Sequence, residues 1–168
     1  ARGITATMIR DLGSKLPLKF VLLGRSPLEV PELKDFDLPS GLNQNELKTE
    51  IFTAMRAKGT KITPREVERL ANKKAAIDEI EGQLKALVDS GCQAKYYSVD
   101  VQDDEALKTI LNQVTNDLGP IRGLIHGAGV LRDKFIADKT LDQFQQVLST
   151  KVLGLARLFE NLDHEQLR

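Results

Sequence analysis

Three short apolar runs, separated by stretches of helical periodicity, predict a doubly wound α/β domain built on a parallel sheet. The runs are Lys19–Leu23, Ala94–Val101 and Ile121–His126. Each is too short for a helix and is bounded by turn residues, as expected of strands buried within a sheet. The order along the chain is helix, strand, helix pair, strand, helix, strand, helix. Such alternation favours parallel strands joined by helical crossovers.

The elements follow in order. Ile4, Met8 and Leu12 recur at helical spacing and predict an opening helix that stops at Gly13. Lys19–Leu23 runs into Gly24-Arg25-Ser26-Pro27. Pro27, Pro31, Pro39 and Ser40-Gly41 mark the loop that follows. Asn45 to Lys58 carries Leu47, Ile51, Ala54 and Met55 on one face. A second helix starts at Thr63-Pro64-Arg65-Glu66, with Thr63 as N-cap, Pro64 as first helical residue and Glu66 closing a capping box. Its stripe of Val67, Leu70, Ile77, Leu84 and Val88 persists to Gly91, a length of about 40 Å. Residues 27–72 therefore read as a loop and helical insertion within one crossover. After the second run, Asp103-Asp104-Glu105 opens a helix with Leu107, Ile110, Leu111, Val114 and Leu118 inside, ended by Gly119-Pro120. Thr140-Leu141-Asp142-Gln143 is a further capping box. It opens a helix predicted to bury Phe144, Leu148, Val152, Leu155 and Phe159.

Composition narrows the function. The 168 residues carry 24 basic and 24 acidic side chains, so no net charge draws the chain to nucleic acid or an anionic membrane. No tryptophan is present to stack on single-stranded bases. No apolar run approaches the length of a membrane span. The opening residues read as an internal stretch rather than a leader. Cys92 is the one cysteine, which excludes an intrachain disulfide and fits a cytoplasmic location. It reads as a small apolar residue at a strand entry. Two histidines without clustered carboxylates give no metal site.

A few residues carry chemistry. Arg25 follows directly on the first strand. In doubly wound sheets this position lies beside the adenine ribose, where an arginine accommodates a 2′-phosphate; the other reading is a solvated arginine in a turn. Asp100, in Ser98-Val99-Asp100-Val101, is placed to accept from an adenine amine or to cap the next helix, a task for which Asp103 competes. Gly127-Ala128-Gly129, after a strand, lets backbone approach a ligand closely. Leu148, Lys151, Val152 and Leu155 share one helical face, which aims the Lys151 ammonium at the sheet. A buried cation there would need a hydroxyl, carboxylate or ligand as partner, unless the side chain snorkels outward. His126 reads as a core histidine at a strand end, and His164 as solvated.

Together these segments resemble the ketoreductase domain of polyketide synthases and polyunsaturated fatty acid synthases, within the short-chain dehydrogenase/reductase superfamily. Arg2-Gly3-Ile4 is similar to the end of the family's glycine-rich turn. Gly24, Arg25 and Ser26 match the second strand of its Rossmann-type sheet and the NADPH-phosphate arginine. Asp100 and Val101 match the adenine side, and Gly127, Ala128 and Gly129 the nicotinamide-side loop. Thr150-Lys151-Val152-Leu153-Gly154 matches the helix bearing the active-site lysine. Leu131-Arg132-Asp133 stands where many members carry Leu-Asp-Asp, a motif tied to the hydride-delivery face and a D-configured alcohol; here Arg132 replaces the middle residue.

The resemblance implies a partial NADP-binding Rossmann domain over residues 1–168, with three strands visible and the family's first and later strands missing. The catalytic serine, tyrosine and asparagine would follow Arg168. The chain alone is therefore expected to be inactive and to bind NADPH weakly. Additional polypeptide, or self-association, is expected to complete the sheet. The complete domain would reduce a β-ketoacyl thioester on acyl carrier protein with NADPH, among other domains of a multienzyme. Two other readings compete. One is a non-catalytic, structural or cofactor-binding half-domain of a megasynthase. The other is an interaction module in which Val67, Leu70, Ile77 and Leu84 bind a partner helix or a second copy.

Overall fold

In the computed structural model, which describes residues 3–168, the described chain separates into two units. One comprises the described residues up to Arg25 together with Leu87–Arg168. The other is Ser26–Ala86. Elements are numbered along the chain: α1 Gly3–Lys15, β1 Lys19–Gly24, α2 Gln44–Ala57, α3 Pro64–Asp89, β2 Gln93–Ser98, α4 Asp104–Leu118, α5 Leu141–Leu148 and α6 Gly154–Glu160. A π-helical turn, Ser149–Leu153, joins α5 to α6.

In the first unit β1 and β2 run parallel, paired from Lys19 with Gln93 to Gly24 with Ser98. Both strands thus end at one rim, and the Val99 amide extends the ladder by donating to the Gly24 carbonyl at 2.8 Å. Asp103 caps α4 by accepting from the Ala106 amide at 3.1 Å. Gly119 ends α4 with φ +90°, which suits glycine. Leu107 and Leu111 of α4 meet Leu158 of α6 over Leu23, Val101, Ile121 and Leu124.

Three expectations for this unit fail. Ile121–His126 is no strand: among the described residues the sheet has two strands, β1 and β2. A strand is completed by ladder hydrogen bonds from a neighbour. The resemblance assigns that neighbour to the family's first strand, and none of the described residues takes its place. For the same reason β1 is not buried on both faces, with Leu22 alone fully buried. The helix α1 also turns a different face inward. Ala6, Ile9 and Gly13 are buried, whereas Ile4, Met8 and Leu12 are exposed. Gly13 does not stop the helix. A Cβ there would meet Cys92 Sγ and a Leu87 methyl at 3.2 Å, so its small size sets how closely α1 packs.

The Ser26–Ala86 unit forms its own core. Leu47 and Ile51 of α2 interlock with Val67, Leu70 and Ile77 of α3, beneath Val30 and Leu33. Both helices are capped as boxes. Asn43 and Glu46 open α2. Glu66 accepts from the Thr63 amide at 2.8 Å and from its hydroxyl at 2.6 Å. The partner-helix reading of Val67, Leu70 and Ile77 fails here, because these side chains are consumed within the unit. Among the described residues no helix is long and apolar enough to cross a membrane.

Candidate active site

Two of the predicted site residues meet at the carboxyl-terminal rim of β1 and β2. Arg25 and Asp100 leave the two strands side by side, with Arg25 Nη1 3.9 Å from Asp100 Oδ2. Arg25 is 64% exposed, so its guanidinium remains available for an anion. Asp100 Oδ1 accepts from the Gln102 amide at 3.0 Å, a local turn, while Asp103 takes the helix cap. Capping is thus removed from the tasks open to Asp100. Ser98 Oγ lies 3.5 Å from the Arg25 carbonyl, closing the turn from below. Gly24 is packed by Tyr96, whose hydroxyl would lie 2.8 Å from an added Cβ.

The second half of the rim is the 126–131 loop with the start of α1 and the π turn. Gly3 adopts φ +52° where α1 begins, while Ile4 is 82% exposed. A Cβ on Gly127 would stand 2.5 Å from Thr5 Oγ1, so glycine here serves the close approach of α1. Lys151 Nζ donates to the Ala128 carbonyl at 3.1 Å, and a Cβ on Gly129 would lie 3.9 Å from that nitrogen. The loop and the lysine therefore face each other across a narrow gap. Val101 meets Gly154, where an added Cβ would approach Val101 Cγ2 to 2.8 Å.

Placement departs from expectation in instructive ways. Lys151 is not buried on an inward stripe but exposed at the rim. Thr150, Gly154 and Leu158 are the buried positions, and Phe144, Leu148, Val152 and Phe159 are exposed. The π turn inserts into the helix and rotates the downstream face relative to regular periodicity. His126 is half-buried rather than in the core, with Nε2 3.1 Å from the Lys151 carbonyl. Leu131 is 82% exposed and Asp133 is exposed too; Arg132 ties their loop to α5 through Gln146 at 3.0 Å. Arg2 lies outside the described residues.

Sequence reasoning gave no role to Thr5 or Gln102, and quoted Thr150 and Gly154 only as neighbours of Lys151. Gln102 Nε2 donates to Thr150 Oγ1 at 3.3 Å, which in turn donates to the Gln146 carbonyl at 2.8 Å. Gly154 within an apolar helix was the one visible signal, because a glycine in that setting points to close packing.

The rim thus carries an exposed guanidinium at Arg25, glycine backbone at Gly127 and Gly129, and the Lys151 ammonium on the Ala128 carbonyl. Comparison with known proteins agrees with that fold. The chain is 32% identical over 176 aligned positions to a polyunsaturated fatty acid synthase polypeptide of Thraustochytrium sp., covering all of this chain and 6% of that protein. It is 33% identical over 95 residues to the polyketide synthase PksN of Bacillus subtilis, covering 56% of this chain and 2% of that protein. The chain thus spans only a small part of these relatives. An N-terminal ketoreductase from the macrolactin assembly line superposes with TM-score 0.62 at 20% identity, over 96% of this chain and 24% of that one. A short-chain dehydrogenase of Mycobacterium paratuberculosis bound to NAD gives 0.59 at 12% identity, over 96% and 45%. At these identities the likeness is one of fold. The KR domain family model matches residues 1–168, and the chain belongs to the KR domain family.

Proposed function

We propose that this chain is the cofactor-binding part of a ketoreductase domain in a multienzyme of polyketide or polyunsaturated fatty acid biosynthesis. The complete domain would reduce a β-ketoacyl thioester on acyl carrier protein to the β-hydroxyacyl thioester. One observation supports the reading: the exposed Lys151 ammonium is held on the Ala128 carbonyl at 3.1 Å.

NADPH, when bound, supplies the hydride. Gly3 and Ile4 at the start of α1, preceded in sequence by Arg2, would hold its phosphates with Gly24, Arg25 and Ser26. Asp100 and Val101 would flank the adenine, and Gly127, Ala128 and Gly129 the nicotinamide side. Arg25 favours the 2′-phosphorylated cofactor, because a guanidinium matches phosphate geometry bidentately. Lys151 would hold a positive charge beside the proton donor and hydrogen-bond the nicotinamide ribose. There it would lower the pKa of a neighbouring proton donor and so ease protonation of the alkoxide. Leu131 and Asp133 stand on the exposed loop, where a substrate chain could be steered.

A direct test presents the complete domain with NADPH and a small β-ketoacyl thioester. Cofactor oxidation in step with β-hydroxy product is expected; absence of turnover would favour the structural half-domain. Arg25→Ala should weaken NADPH binding about ten- to a hundredfold, the worth of a charge-assisted hydrogen bond. NADH binding, measured beside it by calorimetry, should be far less affected.

A further inference from the structure

Lys151 rides on the π turn Ser149–Leu153, and side chains with no task in the proposed reaction hold that turn in place. In this turn the Gly154 amide reaches back to the Ser149 carbonyl, one residue further than in an α-helix. Such a widened turn leaves backbone groups poorly served along the axis, and they need partners from outside. The Lys151 carbonyl has one: His126 Nε2 at 3.1 Å. A carbonyl only accepts, so the ring nitrogen facing it carries the proton. Thr150, 8% exposed, is gripped between Gln102 and the Gln146 carbonyl. Gly154 admits the close approach, since an added Cβ would lie 2.8 Å from Val101 Cγ2 and 3.6 Å from His126 Cε1. His126 and Ala128 therefore clamp one residue from both ends. The imidazole holds the Lys151 backbone, and the Ala128 carbonyl receives its ammonium.

We propose that His126 is a positioning residue, whose imidazole fixes the π turn at Lys151 and thereby the place of the ammonium. The inference rests on the reading of Lys151 as the active-site cation. It assigns His126 no contact with substrate or cofactor.

The test uses the complete reductase domain, with three variants measured beside the parent. Lys151→Ala probes the underlying reading alone, and unchanged turnover there would remove that reading whatever His126 does. His126→Leu keeps bulk but removes the donor. It should lower kcat at least about tenfold, as small misplacements of a reacting group do. KM and NADPH affinity should change less than about threefold, as expected when only a transition-state interaction is lost. His126→Gln places an amide donor where Nε2 lies and should restore most of kcat. A purely structural histidine would move the thermal midpoint and both kinetic constants together, without rescue. The proposal falls if Lys151→Ala is impaired while folded His126→Leu retains full kcat. It falls equally if His126→Gln is folded yet slow, and that variant decides alone should His126→Leu not fold.

Discussion

Two apolar stripes in this chain have similar periodicity and opposite fates. In the Ser26–Ala86 unit, Leu47, Ile51 and Leu70 are at most 1% exposed, because α2 and α3 supply each other's partner. Along α5, the π turn and α6, Phe144, Leu148 and Val152 are 44–53% exposed. Helical spacing announces an apolar face in both cases. It does not say which neighbouring surface will receive it. The first stripe has its complement on the next helix, about twenty residues away. In the second, the close packing of Gly154 on Val101 and the inserted turn select a different face, that of Thr150, Gly154 and Leu158.

The contrast can be broken most directly by truncation. Leu70→Ala should destabilise the complete domain by about 2–5 kcal/mol, the range for a filled core position. Val152→Ala should stay within about 0.5 kcal/mol, as exposed substitutions do. Equal costs in chemical denaturation would show that both stripes are covered. A smaller effect sharpens the site side. Gly127→Ala would drive a methyl against Thr5 Oγ1 and should cost about 1–3 kcal/mol by overpacking. Thr5→Ala in the same chain should recover part of that loss, read as a double-mutant cycle.

The mildest effect is on pH. In the Ser26–Ala86 unit three exposed carboxyls sit below their ordinary range. Glu32 is lowered by its own backbone amide and then by Arg69, Glu66 by the Thr63 hydroxyl and amide, and Glu68 by Lys48. A folded pKa below the unfolded one means the unfolded chain binds more protons in acid. Their contribution is therefore present above the unfolded values and lost as pH falls through the folded ones. In the sheet unit Lys95 is raised by its hydrogen bond to Asp117, so its contribution is lost only as pH climbs through its elevated value. Thermal melts should show Ser26–Ala86 losing stability first in acid. A reduced acid sensitivity is expected in Glu66→Gln, with Glu32 and Glu68 retaining the rest, and an undiminished slope would count against the assignment.

What the sequence made legible follows the same line. Capping boxes at Thr63 with Glu66 and at Thr140 with Gln143 were readable, because their hydrogen bonds span three residues. So was α4 behind Asp103. The Asn43–Glu46 box has the same span, and it starts α2 slightly earlier than the apolar spacing alone suggests. The meeting of Arg25 with Asp100 followed from two parallel strand ends sharing one rim, whereas the contact of Lys151 with Ala128 arises without a strand before the loop. The inward face of α1, the fate of Ile121–His126 and the π turn were not legible. Each depends on a partner distant in sequence: Cys92 against Gly13, a ladder neighbour, and His126 against Lys151.

The most direct measurement is the effect of Lys151→Ala on the complete domain, with kcat and the NADPH dissociation constant determined in parallel. The ammonium's place at the strand-end rim predicts that kcat falls at least about a hundredfold, the scale of assisted proton transfer, while NADPH affinity changes only a few-fold. Unchanged turnover, or losses of turnover and affinity in equal measure, would contradict it.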